Sequence, residues 1–280
     1  MSKVADKNAR RITYALSYVF LIGVGISMAA PLLWMLSTSF KSPDADVMNL
    51  KDILPDGLHW ENYRTVMVET NFARALFNSA LVTITITVGQ VFTSSLAAFA
   101  FARLQFKGRD KLFLGYLGTM MIPGAVTMIP VFILLRHLHW VNTYWGLIVP
   151  AMFSAYGTFM LRQFFMTIPR ELEDAAIMDG CGTLGVYWHV VLPLSKPALA
   201  TLSILTFMGS WRNFMWPVII THTRDMFTLP VALAQFQEMY GVQWVLMMAG
   251  SVIMIIPMLA VFIFGQRYFV EGIQLGALKG

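Results

Sequence analysis

Charge is what this chain has least of. Only 12% of its 280 residues are Asp, Glu, Lys or Arg, against about 25% in an ordinary soluble domain. With 57% hydrophobic residues and a mean hydropathy of +0.64, the sequence excludes a solvated globule and indicates a membrane protein. Cysteine is nearly absent: Cys181 stands alone, so no disulfide framework exists, and it reads as a small packed side chain rather than a reactive thiol. No GxxxxGK[ST] loop is present, so the chain does not bind ATP by that route. Nor is there a GxSxG, an HExxH or a paired CxxC, and no catalytic or metal-binding residue is expected. None of the 15 acidic residues falls inside a long apolar run. That argues against an ion-coupled secondary transporter, which needs intramembrane carboxylates.

What is present is a series of charge-free runs. They set six spans at about residues 13–37, 76–102, 112–135, 142–164, 198–220 and 244–266, each near the roughly 20 residues that cross a bilayer. The basic N-terminus and first run resemble a signal peptide. The run outlasts the usual apolar core of one, however, so an uncleaved span is expected. Pro123 and Pro130 inside the third run predict a kinked helix packed within the bundle. His137, His139, Trp140, Tyr144 and Trp145 form an interfacial aromatic cluster, with no acidic or cysteine partner nearby to make a metal site.

The formal charge of +5 reads as an orientation signal rather than as nucleic-acid binding. With the N-terminus inside, thirteen Lys and Arg residues face the cytoplasm and six face out, and the two short outer loops carry only Arg136 and Arg224. Both termini of this multi-pass membrane protein are therefore expected to face the cytoplasm. The 20 methionines are scattered through apolar runs and suit adaptable packing.

The longest polar interruption of the second half is residues 167–197. Pro169 with Glu171, Glu173 and Asp174 suits a helix start, and Gly180 and Gly182 end that helix. A second short helix follows from Thr183 to Val191, and Pro193 and Pro197 close the segment. Two short helices at a Gly elbow predict a protrusion that touches a partner, its acidic residues solvated. Arg212 is the one ionised residue deep in a run. It either lines a path with Trp211, Asn213 and Trp216, or packs and snorkels. Tyr156, Gln90 and Asn78 are weaker lining candidates, with polar contacts between helices as their alternative.

Asp174-Ala175-Ala176, three residues, Gly180 and then Leu192-Pro193 resemble the EAA loop of ABC-importer permeases. Pro31-Leu32-Leu33, Ser39-Phe40-Lys41, Asn78-Ser79, Ala102-Arg103, Met121-Ile122-Pro123, Arg162-Gln163-Phe164-Phe165 and Gln266-Arg267-Tyr268 narrow the likeness to MalG-like permeases of maltose-type carbohydrate importers. It covers nearly the whole chain. Two positions depart: Asp174 where Glu is usual, and Arg212-Asn213 where an Asn-Asp-like pair is usual.

The resemblance implies an all-α membrane protein of the type I importer (MetI-like) fold, with residues 1–280 as one transmembrane domain. It implies a permease subunit that moves a sugar, an oligosaccharide, disaccharide or glycerol-phosphate-like solute, into the cytoplasm by alternating access. A polyamine or phosphonate permease is the alternative. Implied partners are a second homologous permease, an ATPase dimer that carries the ATP and Mg2+, a periplasmic or lipid-anchored solute-binding protein, and membrane lipid. This chain itself would carry no cofactor. Glu173, Asp174, Ala175, Ala176, Asp179, Gly180 and Pro193 would form the coupling surface for the ATPase, and Trp211, Arg212, Asn213, Trp216 and Tyr156 are the candidate translocation path.

Overall fold

The computed structural model describes residues 2–43, 45, 54–69, 71–240 and 243–277, and among them there are helices and turns but no strand. The apolar runs become helices because no other open structure satisfies every backbone group within lipid. Among the described residues, four helices are long and apolar enough to cross a membrane: Leu16–Ser39, Phe72–Arg103, Tyr144–Phe165 and Trp244–Arg267. Two bent pairs raise the number to six if each is one span, Arg109–Met121 with Gly124–His137 (100°) and Thr183–Leu194 with Lys196–Trp211 (77°).

The chain divides into two compact units, Met1–Thr70 with Gln235–Ile253 and Asn71–Ala234 with Met254–Gly280. In the first, α1 (Ser2–Ser39) ends at a polar knot beside α2 (Glu61–Glu69). The Asn62 amide donates to the carbonyls of Ser39 and Lys41 at 2.9 Å each, and the Ser39 and Tyr63 hydroxyls meet at 2.6 Å.

In the second unit, α3 (Phe72–Arg103) is the central rod. Its 32 residues span about 48 Å, longer than the roughly 30 Å hydrocarbon layer. After α4 (Arg109–Gly118) the chain bends at Pro123, which has no N–H and drives Ile122 out of helical geometry to φ −85°, ψ 117°. It resumes as α5 (Gly124–His137), with Pro130 inside. The kink expected at Pro123 is present, but not the inside packing. Met121, Ile122, Val126, Ile129 and Leu134 are exposed in this chain, while only Phe113 and Leu135 are buried on α4 and α5.

α6 (Tyr144–Ile148) and α7 (Ala155–Phe165) follow, then α8 (Arg170–Met178), α9 (Thr183–Val186), a π-helical turn Tyr187–Val191, α10 (Leu192–Leu194) and α11 (Lys196–Trp211). The expected continuous span over 198–220 is instead broken at residues 212–214, and α12 (Met215–Ile220) resumes it. Asn213 explains the break: its side-chain oxygen accepts from the Trp216 N–H at 3.3 Å, competing with the helix ladder. Pro217 falls in the first turn of α12, where a missing N–H costs nothing. α13 (Leu229–Tyr240) and α14 (Trp244–Ala277) complete the chain.

The main core joins Ala98, Phe99 and Ala102 of α3 to Leu161 and Phe165 of α7, Tyr187 of the π turn and Leu202 of α11. Small residues permit this closeness. A Cβ at Gly157 would lie 2.7 Å from the Ser94 hydroxyl and 3.2 Å from Leu202, so α7 approaches α3 where only glycine fits. Gly157→Leu is expected to force α7 off α3, with an overpacking cost of about 1–3 kcal/mol. Thermal unfolding of the detergent-solubilised chain checks this; an unchanged midpoint would show that the contact is loose.

Candidate functional site

Facing stripes on α3 and α11 enclose a cavity of about 500 Å³. Ser79, Thr83, Ile86 and Gln90 recur at three- or four-residue spacing along α3, and Leu202, Thr206 and Ser210 along α11. The wall is completed by Tyr156, Asn213, Trp216 and Thr228, and among the described residues none of those lining it is Asp, Glu, Lys or Arg. Gln90 donates to the Thr206 hydroxyl at 2.9 Å, and Ser210 to that of Thr83 at 3.3 Å. These contacts hold the helices together and still leave hydroxyl lone pairs for a ligand. The Thr228 hydroxyl is buried and has no partner among the described residues. Trp216 gives its indole N–H to the Gly146 carbonyl at 3.0 Å, so what it offers the cavity is its ring.

Of the candidate path residues, the cavity gathers Asn213, Trp216 and Tyr156. Trp211 and Arg212 lie elsewhere. Trp211 is 2% exposed, stacks on Phe207 at 5.6 Å and donates to the Met254 carbonyl at 2.9 Å. Arg212 caps α11, bonds back to the Met208 carbonyl at 3.2 Å, and borders a separate groove beside Phe262 and Gln266. Asn78 instead ties separate segments together: it donates to the carbonyls of Asp225 and Phe227 and accepts from the Tyr144 hydroxyl at 2.6 Å.

At the far end of α3 is the polar interruption. α8 ends as the glycines imply: Cys181 N–H bonds to Ala176 O and Gly180 N–H to Ile177 O, both at 2.9 Å, the paired closure of a Schellman motif. Gly180 has φ +91°, a left-handed conformation that costs other residues dearly. The outer face of α8 carries Leu172, Asp174, Ala175, Ile177, Met178 and Asp179 in the open, with Met178 87% exposed. Ala176 turns inward onto the core, and Pro193 is exposed beyond the π turn.

Two features differ from the expected solvated protrusion. The second short helix is an anchor: Tyr187 is fully buried, its hydroxyl 2.7 Å from that of Ser95 and its ring 5.2 Å from Phe99. Glu173, moreover, is not solvated. Its carboxylate meets the Arg103 guanidinium at 2.6 Å, with side chains only 12% and 7% exposed. Burial raises the Glu173 carboxyl pKa, and the Arg103 and Arg170 charges pull it back. Arg103 also donates to the carbonyls of Phe165 at 2.7 Å and Ile168 at 2.8 Å. Sequence reasoning used Arg103 as an orientation charge and, in Ala102-Arg103, as a landmark of the family resemblance, but not as an ion-pair partner. It missed Ser79, Thr83, Thr206 and Ser210 as well, although their helical spacing was a signal.

The family model for the binding-protein-dependent transport system inner membrane component matches residues 90–274. The arabinooligosaccharides transport system permease protein AraQ of Halalkalibacterium halodurans is 37% identical over 278 residues, covering 97% of this chain and 99% of the relative. The sn-glycerol-3-phosphate transport system permease protein UgpE of Yersinia enterocolitica is 35% identical over 265 residues, covering 91% and 94%. Among solved structures, a chain of a bacterial ABC transporter involved in the import of the acidic polysaccharide alginate superposes with a TM-score of 0.84 at 25% identity, covering 92% of this chain and 97% of that one.

Gly180→Val is expected to fray the end of α8, since a β-branched residue at positive φ costs roughly 1–3 kcal/mol. Hydrogen exchange at the Gly-elbow amides, residues 180 and 181, should quicken while the middle of α3 keeps its protection. Unchanged exchange at the elbow would mean that the left-handed turn is dispensable.

Proposed function

The chain belongs to the inner membrane components of binding-protein-dependent transport systems, and from that premise we propose that it passes a neutral saccharide inward as one permease half of an ATP-driven importer. The observation that carries the reading is the cavity between α3 and α11, whose described lining is uncharged, mostly apolar, and set with hydroxyls and amides. Hydroxyls and amides at Thr83, Gln90, Thr206, Ser210 and Asn213 match sugar hydroxyls as both donors and acceptors. Trp216 and Tyr156 offer aromatic faces to the apolar face of a sugar ring. A polyamine path calls for carboxylates and a phosphonate or glycerol-phosphate path for cations; this cavity wall has neither. Similarity to permeases named for arabinooligosaccharides and for sn-glycerol-3-phosphate supports a sugar-type solute, and the uncharged lining is what favours the neutral class.

The outer face of α8 is the docking surface for a separate ATPase dimer, which brings the ATP and Mg2+. Leu172, Ile177 and Met178 form its apolar centre, Ala175 its small flat spot, and Asp174 and Asp179 its polar rim. A second homologous permease completes the pore, and a solute-binding protein delivers the sugar from the other side. Both termini and α8 face the cytoplasm, on the basic asymmetry of the loops. Alternating access follows as rocking of the two permease halves around the cavity.

Uptake of a neutral pentose oligosaccharide into vesicles, with the matching binding protein and ATPase, tests this. Gln90→Leu with Asn213→Leu is expected to lower uptake at least about tenfold, since unmatched sugar hydroxyls lose roughly 1–3 kcal/mol per contact, while the complex purifies intact. Wild-type uptake by that variant, or a cavity that passes anionic solutes equally well, would overturn the reading.

A further inference from the structure

We infer that Arg103 and Glu173 form a latch making α8 and α3 one mechanical body, so that movement of a partner docked on α8 is delivered to the cavity wall. This rests on the proposed docking role of α8, and goes beyond it by naming the residues that transmit the motion.

α8 has little else to hold it. None of its residues is fully buried, and only Ala176 packs onto the core. Against that weak apolar grip stands a charge contact of 2.6 Å between side chains almost closed to solvent. Arg103 is fixed in turn by the carbonyls of Phe165 and Ile168, which end α7 and lead into α8. One guanidinium therefore joins three segments, a use suited to its rigid fork of donors. Glu173 faces inward, away from the exposed face bearing Asp174 and Asp179, and so acts as a positioning residue, not a partner contact.

The other end of the rod makes the latch consequential. Gln90, which borders the cavity, lies 13 residues before Arg103 on the same helix, about 20 Å away along its axis. No proline or glycine interrupts residues 90–103, and α3 runs unbroken through them, with the Thr93 and Ser95 hydroxyls bonding back to the Gln90 and Phe92 carbonyls. Gln90–Thr206 and Ser210–Thr83 then carry any shift of α3 across to α11.

The test compares Glu173→Gln with Asp174→Asn in the reconstituted importer, measuring ATPase pull-down, ATP hydrolysis and sugar uptake. Glu173→Gln is expected to keep docking and hydrolysis but to lower uptake per ATP at least about fivefold, the low end of usual coupling between sites. Asp174→Asn is expected to weaken docking while leaving uptake per ATP hydrolysed unchanged. Normal uptake per ATP in Glu173→Gln would overturn the latch, and so would loss of docking or assembly, which would make Glu173 a partner contact or a folding determinant. Failure of the unmodified chain to bind any ATPase would instead overturn the docking role, a separate result.

Discussion

A single guanidinium holds the working end of this molecule. Arg103 closes α3, satisfies the two carbonyls that end α7 and start the loop, and neutralises Glu173 on α8. A buried pair of this kind adds little net stability when compared with well-packed apolar residues, yet losing one partner costs about 3–5 kcal/mol because the other charge is stranded. The interaction is therefore better suited to fixing geometry than to storing stability. Without it α8 would be a short amphipathic helix attached mainly through Ala176 and its Gly elbow.

The same helix that carries this charge at its end is kept free of charge in its middle. Along the cavity α3 offers Ser79, Thr83 and Gln90, neutral groups that already bond to α11 or to the α13 start, where Leu229 N–H donates to Ser79 at 2.7 Å. Ionised groups in the bilayer are expensive, and the proposed path for a neutral saccharide has no use for them. Arg212 fits this division, since it lies outside the cavity and bonds back onto its own helix. The exposed aliphatic faces of α4 and α5 suit lipid or the proposed second permease.

Much of this was legible in the sequence because membrane chemistry writes loudly. Charge-free runs marked the spans, Pro123 marked the bend, and Gly180 marked a turn that proved to need positive φ. The resemblance carried by residues 174–193 led to the right family. What stayed hidden depended on tertiary neighbours. Trp211 and Trp216 are five residues apart on what read as one helix, yet the break at Asn213 leaves one packed on Phe207 and Met254 and the other on the cavity. Glu173 and Asp174 are adjacent acids, and only the rotation of α8 against Arg103 separates a latch from a docking rim. Tyr187 was legible as apolar and aromatic, but its burial requires Ser95 and Phe99 from a helix some 90 residues earlier in the chain.

The most direct measurement is the distance between spin labels on α8 and on the cavity stretch of α3. With Cys181 replaced by Ser, Glu171→Cys at the exposed start of α8 and Val88→Cys would carry the labels, and the assembled importer would be compared without nucleotide and with ATP trapped. The account requires the label–label distance to stay fixed between the two states while the distance from Val88 to the second permease changes. If the α8–α3 distance shifts and the cavity stretch stays in place relative to the second permease, α8 moves on its own elbow and the two helices are not one body.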